Sequence, residues 1–177
     1  TCGTYCLSKP DIMTDPTLDR RLAVILMADV VGYSRLMGQD EEGTLLGLQK
    51  QRFSVIDPTI GQYRGRIVKS MGDGLLGEFQ SVTDAVGCAI NIQKSIARQN
   101  QNVAEERRIS WRMGVNMGEI LVRDDDVFGD GVNIAARLQE AADAGGVAVS
   151  STVHANVTPE PDWRIDDLGA HRFKNIA

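Results

Sequence analysis

The chain has 177 residues, of which 42% are hydrophobic and 24% are charged, and its formal net charge is −5. This length predicts a single globular domain, because the chain is long enough for one core and short for two. The acidic balance, with a pI near 5.0, argues against a surface that binds nucleic acid through bulk positive charge. We therefore expect a small-molecule partner and no nucleic acid.

The sequence carries no signal for export, membrane insertion or disulfide bonding. Its strongest apolar run, Leu22–Ala28, stops at Asp29, well short of the roughly 18 residues that a membrane-spanning helix needs. The odd number of cysteines, 3, gives no disulfide framework. We expect a cytoplasmic domain, which a part of the full-length protein outside this chain could still tether to a membrane.

The first predicted element is a central strand. Residues 1–20 show no hydrophobic periodicity and are interpreted as a disordered linker or arm, so the folded domain is expected over residues 21–177. Leu22–Ala28 is a continuous apolar run typical of a strand buried on both faces. It ends at Asp29, and the conformationally permissive Gly32 follows.

A helix is predicted over Asp40–Ile56, where apolar residues recur at helical spacing. Pro58 is expected to kink or end this helix, because it lacks a backbone donor and restricts the residue before it. Gly61 and Gly65 then lead into the next extended segment.

The segment Ile67–Phe79, IVKSMGDGLLGEF, predicts a β-hairpin, because two apolar half-strands meet at Gly72–Gly74. An Asp between two glycines is typical of a tight turn, and this simple explanation of Asp73 remains open. If the strand from Leu22 lies beside the hairpin, Asp29 and Asp73 converge at strand ends. Two converging carboxylates suit hard divalent cations.

The clearest helix is predicted over Ser81–Asn100, with Ser81 in a capping position and one apolar stripe. Ile109–Met117 alternates as a strand, and Gly118 is interpreted as a break before a second strand at Ile120–Val122. These two segments are therefore expected to pair with each other.

A second amphipathic helix is predicted over Gly129–Ala142, with an inner face of Ile134, Leu138 and Ala141. The remaining elements are short and comprise a strand at Val147–Val149, a helix capped by Ser151, and closing strands at Trp163–Leu168 and Arg172–Phe173. Alternating strands and helices with hairpin-type connections predict an α+β fold, with helices over a mixed sheet.

Four motifs together resemble the catalytic domain of class III nucleotidyl cyclases, of the bacterial adenylate cyclase type. They are Asp29, the GDG of Gly72–Gly74, the segment DVFGDGVNIAAR of Asp126–Arg137, and the FKN of Phe173–Asn175. The resemblance covers residues 21 to the end. It implies a ferredoxin-like βαββαβ core with a C-terminal extension, whose sheet is mostly antiparallel and covered by helices. The family usually continues into another strand beyond Ala177, so the C-terminal strand is expected to be truncated.

The resemblance also implies a metal-dependent reaction in a head-to-tail homodimer. Cyclisation of ATP places charge on phosphoryl oxygens, which suits two Mg²⁺ or Mn²⁺ ions bound by oxygen ligands. Asp29 and Asp73 would be their carboxylate ligands, and the resemblance adds the backbone carbonyl of Val30. It further implies that backbone amides near Gly32 and Tyr33 hold the triphosphate.

The family reads the nucleotide base with the positions of Lys69 and Asp126. A lysine only donates, which matches N1 of adenine, and an ionised Asp only accepts, which matches the N6 amine. Guanine mismatches both groups, so the pair predicts ATP rather than GTP. A solvent-exposed lysine and a solvated acidic loop over Asp124–Asp126 remain the simpler interpretations of these residues.

Asn133 and Arg137 lie four residues apart and so project from one side of their helix. The resemblance implies that Asn133 orients the ribose and Arg137 stabilises the α-phosphate, while a plain exposed face with Arg137 paired to Glu140 remains open. Lys174 would contact the terminal phosphates, or it is an ordinary surface lysine. Glu119 departs from relatives that carry a phosphate-binding Arg there.

The expected function is an adenylate cyclase that makes 3′,5′-cyclic AMP and pyrophosphate. In the family's division of labour, one subunit supplies Asp29 and Asp73, and the other supplies the nitrogen-bearing and base-reading residues Lys69, Asp126, Asn133, Arg137 and Lys174. The alternatives are a guanylate or diguanylate cyclase, and a non-catalytic module that binds nucleotide or mediates dimerisation. A regulatory domain is expected outside this chain.

Overall fold

The structure, a computed structural model, describes residues 19–167 and residue 169. In this part of the chain the strands are β1 Asp19–Val30, β2 Arg66–Met71, β3 Gly74–Phe79, β4 Trp111–Arg123, β5 Asp126–Phe128 and β6 Val147–Val149. The helices are α1 Tyr33–Gln39, α2 Glu41–Gln51, α3 Asp57–Gln62, α4 Val82–Asn100, α5 Asp130–Ala141 and α6 Ser151–Asn156. None of these helices is both long and apolar enough to cross a membrane.

The strands form one mixed sheet in the order β2-β3-β1-β4-β5, and β6 pairs with β4 outside this path. All neighbours pair antiparallel except β4 and β6, which pair in parallel. The succession β1, helix, β2, β3, helix, β4 with this strand order is the predicted ferredoxin-like core. The fold class is therefore confirmed.

The central strand β1 is paired on both sides and buried on both faces, as its apolar run predicted. Ile25 and Leu26 point to opposite faces of the sheet, and both are 0% exposed. The strand begins at Asp19 and thus includes two residues that sequence analysis had assigned to the N-terminal arm. The cause is tertiary, because Asp19–Leu22 pairs with Glu119–Val122 of β4.

Each face of the sheet carries its own apolar cluster. The larger one lies under α2, α3 and α4 and includes Leu26, Ile92 and Trp111. The smaller one lies on the face covered by α5 and contains Ala23, Ile25, Leu76, Ile120, Val127 and Ala135. On this second face the sheet curls until its two edge strands, β2 and β5, come into contact.

Pro58 was predicted to kink or end its helix, and the structure shows that the helix does not end there. The helical path continues from α2 through a π-helical segment, Arg52–Ile56, into α3. In the π segment the N–H of Asp57 donates to the carbonyl of Arg52, five residues earlier, which shifts the hydrogen-bond register. Pro58 then falls in the first turn of α3, directly after this register shift, in the part of a helix where proline is best tolerated.

The predicted break at Gly118 was wrong, because β4 runs unbroken through it. Gly118 pairs with Ala23 of β1, and a Cβ there would lie 3.2 Å from the Cα of Gly131 in α5. The glycine therefore permits close packing of α5 on the strand. The second strand of the pair is β5, which follows a turn of two left-handed residues, Asp124 and Asp125.

Other local predictions are partly corrected. Ser81 caps α4 as expected, since its Oγ accepts the N–H of Asp84 at 3.2 Å. Ser150, and not Ser151, caps α6. The buried face of α5 comprises Gly131, Ala135, Leu138 and Gln139, so Leu138 is the only residue of the predicted inner face that is buried.

The closing strands predicted near the C-terminus are not observed in the residues that the structure describes. Residues 163–167 are not in a strand. The remainder of the predicted strand pair, Leu168 and Arg172–Phe173, lies outside the described residues, as does Lys174.

Candidate active site

Backbone hydrogen bonding holds the end of β1, where Asp29 lies, next to the turn that carries Asp73. Asp29 is the register partner of Gly74, the first residue of β3. The N–H of Val30 donates to the carbonyl oxygen of Asp73 at 3.1 Å. Gly72 supplies the left-handed conformation of the turn, with φ of 59°. The convergence expected from the sequence is thus built by strand pairing and not by the side chains themselves.

The electrostatics of Asp29 reflect this crowding. Burial raises the pKa of its carboxyl, and the negative charge of Asp73 raises it further. A hydrogen bond and the positive charge of Arg112 oppose these two effects without cancelling them. A site that disfavours its own negative charge in this way gains from a bound cation.

The donor set at this corner fits Mg²⁺ or Mn²⁺. Asp29 and Asp73 offer carboxylate oxygens, and no group of three or more His, Cys, Asp or Glu in the described part of the chain could hold a metal. Zinc sites require three or four protein ligands, often sulfur or nitrogen. Mg²⁺ is commonly held by one or two carboxylates, with substrate phosphates and water completing its shell.

The chain turns sharply after this corner. Gly32 has φ of 67° and ψ of 32°, and it precedes the first residue of α1, Tyr33. Its carbonyl accepts the N–H groups of Arg35 at 3.0 Å and Leu36 at 3.1 Å. The role of Gly32 and Tyr33 in holding a triphosphate stays a prediction.

Lys69 and Asp126 contact each other although they belong to strands at opposite edges of the sheet. Lys69 Nζ donates to Asp126 Oδ2 at 2.7 Å, and the backbone N–H of Val127 donates to Asp126 Oδ1 at 2.9 Å. The hydrogen bond from Lys69 lowers the pKa of Asp126, so this carboxylate stays ionised. Local sequence patterns give no sign of this contact, because it depends on the curl of the whole sheet.

Asn133 and Arg137 lie on α5, whose position is fixed by close packing against β4. A Cβ on Gly131 would lie 2.8 Å from the carbonyl oxygen of Glu119. Asn133 is exposed, and Arg137 Nη1 donates to Glu140 Oε2 at 2.8 Å. The pairing of Arg137 with Glu140, left open by the sequence, is therefore present in the single chain.

Within one chain the site residues fall into separate groups. Among the described residues, no hydrogen bond or ion pair joins Asp29 or Asp73 to Lys69, Asp126, Asn133 or Arg137. In the described part of the chain, Arg112 links the aspartate corner to α5 by hydrogen bonds, because it donates to Asp29 and to the carbonyl of Glu140.

Arg112 is the residue of this region that sequence reasoning missed. Its Nη2 donates to Asp29 Oδ2 at 3.2 Å. A signal for it did exist, since the alternation of β4 places Arg112 on the face of Gly114 and Asn116, opposite the large apolar side chains of Trp111, Met113 and Val115. Only the register of β1 against β4 shows that Arg112 faces Asp29.

Comparisons with known sequences and structures agree on one protein family. The model of the adenylate and guanylate cyclase catalytic domain matches residues 20–175. A protein of Rhizobium meliloti (strain 1021) named "Putative adenylate cyclase 3" is 47% identical over 164 residues, which is 93% of this chain. This chain spans 28% of the length of that relative.

Solved structures show the same fold. The crystal structure of an adenylate/guanylate cyclase/hydrolase from Silicibacter pomeroyi superposes with a TM-score of 0.84 at 40% identity, covering 91% of this chain and 94% of that one. The crystal structure of a guanylyl cyclase superposes with a TM-score of 0.76 at 24% identity, covering 90% and 88%. Since one of these structures is named an adenylate/guanylate cyclase and the other a guanylyl cyclase, the fold alone does not indicate which base this chain uses.

Proposed function

The chain belongs to the family of adenylate and guanylate cyclase catalytic domains, and we propose that it converts ATP into 3′,5′-cyclic AMP and pyrophosphate. The observation that carries the choice of ATP is the contact between Lys69 and Asp126, at 2.7 Å. Two residues from opposite edges of the sheet meet there with the hydrogen-bonding character that adenine requires.

Adenine presents an acceptor at N1 and a donor at the N6 amine. Lys69 can donate to the first, and Asp126, kept ionised by its lowered pKa, can accept from the second. Guanine offers N1–H and O6 instead, so it would place donor against donor and acceptor against acceptor. Mispaired polar groups of this kind discriminate strongly between substrates, which argues against the guanylate cyclase alternative.

In the proposed reaction the ribose 3′ oxygen attacks the α-phosphorus, and pyrophosphate leaves from the opposite side. Asp29, Asp73 and the carbonyl of Val30 would hold two Mg²⁺ or Mn²⁺ ions, which supply Lewis-acid stabilisation of the attacking and leaving oxygens. The amides of Gly32 and Tyr33 would bind the triphosphate.

The face of α5 would supply the remaining contacts. Asn133 would orient the ribose, and the fixed fork of donors on Arg137 would stabilise charge on the α-phosphate. For this, Arg137 must release Glu140 and bind the phosphate instead. The ion pair between Arg137 and Glu140 is exposed, so breaking it costs little free energy. Lys174, outside the described residues, would bind the terminal phosphates.

Two copies of the chain would build the complete site. Within one chain Asp29 and Asp73 form no hydrogen bond or ion pair with Asn133 or Arg137, and a two-fold homodimer would join the groups in two equivalent sites. Because this chain spans 28% of its Rhizobium relative, we propose that regulatory input comes from sequence outside it.

The test is product formation by the purified chain with Mn²⁺ and either ATP or GTP. We expect cyclic AMP from ATP and at least about 10-fold less cyclic GMP from GTP. Equal turnover of both nucleotides would contradict the role of Lys69 and Asp126. Absence of both products from a confirmed dimer would favour the non-catalytic module.

A further inference from the structure

Arg112 of β4 is the cross-strand partner of Asp29 of β1. The two side chains lie on the same face of the sheet, since directly opposed residues in paired strands share a face. Arg112 Nη2 donates to Asp29 Oδ2 at 3.2 Å, and the two side chains are 32% and 26% exposed. The ion pair is thus substantially shielded from water.

The two carboxylate oxygens of Asp29 have different surroundings. Oδ2 accepts from Arg112, on the β4 side. Oδ1 lies on the hairpin side, 3.6 Å from the point where a Cβ on Gly74 would stand. Arg112 therefore fixes the rotation of the carboxylate and leaves Oδ1 facing the turn that carries Asp73.

The remaining donors of Arg112, Nε and Nη1, do not explain its placement. Its Nε is buried and has no partner among the described residues. Its Nη1 reaches the carbonyl of Glu140 at 3.5 Å, the outer limit of a hydrogen bond. An unpaired buried donor is destabilising, so a compensating interaction is expected, and the charge of Asp29 is the one that the contacts show.

We propose that Arg112 is a positioning residue and resident counter-charge for Asp29, orienting the carboxylate for a divalent cation and offsetting its repulsion with Asp73 when no cation is bound. The proposal rests on the metal-binding role of these two aspartates in the proposed function. Among the described residues, Arg112 is the cationic side chain that forms an ion pair with Asp29.

The proposal predicts a split effect that a purely structural role would not give. Removing the positive charge makes the corner more negative, so Mn²⁺ should bind about three- to tenfold more tightly. Freeing Oδ2 loosens the carboxylate, so kcat should fall about tenfold or more. A residue that only maintained the fold would weaken both properties together.

The test is a calorimetric titration of Mn²⁺ into the whole chain without nucleotide, with thermal unfolding at each Mn²⁺ concentration. The variant is Arg112→Gln, and the matched control is Arg20→Gln. Arg20 joins the same two strands through Glu119 at the same 3.2 Å but is 65% exposed. We expect Arg112→Gln to show a lower Tm without metal and a larger Mn²⁺-induced rise in Tm than wild type, while Arg20→Gln behaves as wild type.

A third variant covers the case in which Arg112→Gln folds poorly. Arg112→Lys keeps the charge and loses the fork, so its Mn²⁺ affinity should stay within about twofold of wild type while kcat falls. Unchanged or weaker Mn²⁺ binding in folded Arg112→Gln, or tighter binding in Arg112→Lys, would overturn the proposal.

The same titrations separate this proposal from the proposed function. Mn²⁺ binding that Asp29→Asn abolishes and Arg112→Gln leaves unchanged would overturn the role of Arg112 alone. Wild-type chain that binds no Mn²⁺ would overturn both.

Discussion

The corner at Asp29 and the outer face of α5 carry two parts of the proposed site and are built in different ways. Asp29 follows a buried central strand, and the Asp73 turn is tied to it through the bond from Val30 at 3.1 Å. Arg137 on α5 is restrained by one exposed ion pair with Glu140. The proposed cation-binding part is therefore formed within one chain, whereas the side chains of the α5 part would act only in the proposed dimer.

The largest expected effect comes from breaking the preformed corner. Asp73→Asn should lower kcat about 1,000-fold, because it removes one of the two proposed carboxylate ligands of the cations. Asn still suits the turn, so the metal-free protein should melt at or above the wild-type temperature once repulsion with Asp29 is gone. Cyclic AMP assays and thermal unfolding check this; a large loss of stability would show that Asp73 acts mainly on the fold.

The second effect addresses the α5 face. Arg137→Ala should lower kcat about 100-fold, because one donor to the transition state is lost. Its Tm should barely change, because an exposed ion pair contributes about 0 to 1 kcal/mol.

Glu140→Gln is the matched control for Arg137. It breaks the same ion pair and should keep activity within about threefold of wild type. If both variants lose activity equally in kinetic assays, Arg137 acts through its bond to Glu140 and not through the phosphate.

A smaller effect is expected from the base-reading pair. Lys69→Gln and Asp126→Asn should each reduce the preference for ATP over GTP about 10-fold, measured as the ratio of kcat/KM values.

The pair of Lys69 and Asp126 also allows a prediction for the pH dependence of this preference. Because Lys69 lowers the pKa of Asp126, that carboxylate remains ionised, and the preference should stay constant from about pH 8 to about pH 6. A preference that falls over this range would show that another group reads the base.

The packing that positions α5 can be tested by measuring stability, without an activity assay. A Cβ on Gly114 would lie 2.3 Å from the carbonyl oxygen of Ala135, so Gly114→Ala should destabilise the fold by about 1 to 3 kcal/mol. Gly61 of α3 has no atom within 4 Å of its Cβ position, so Gly61→Ala should be neutral or stabilising by up to about 1 kcal/mol. Denaturant unfolding measures both, and equal stabilities would mean that α5 can shift away from β4 at little cost.

The sequence predicted those parts of the fold that depend on local pattern. The buried strand, the hairpin and the capped helix α4 follow from periodicity and turn residues within short segments. Gly118 was misread because α5 packs closely on β4 there, and the helix does not end at Pro58 because a π-helical register shift precedes it. The inner face of α5 was misassigned for the same reason, since Gly131 and not a large apolar residue contacts β4.

The same distinction applies to the candidate site: features set by local pattern could be predicted, and features set by tertiary structure could not. The proximity of Asp29 and Asp73 could be inferred because adjacent strands and a tight turn suffice to bring them together. The contact of Lys69 with Asp126 rested on family resemblance alone, because it requires edge strands to meet through sheet curl. Arg112 was missed because its partner is defined by the register of β4, which no local pattern specifies.

The most direct test of the shared site is complementation between two inactive variants. Asp73→Ala and Arg137→Ala are purified separately, mixed in equal amounts and allowed to exchange subunits, and cyclic AMP formation is measured. Random pairing gives mixed dimers with one intact site, so activity should recover to about a quarter of wild type. No recovery, with mixed dimers confirmed by mass, would contradict a site built from Asp29 and Asp73 of one chain and the α5 face of its partner.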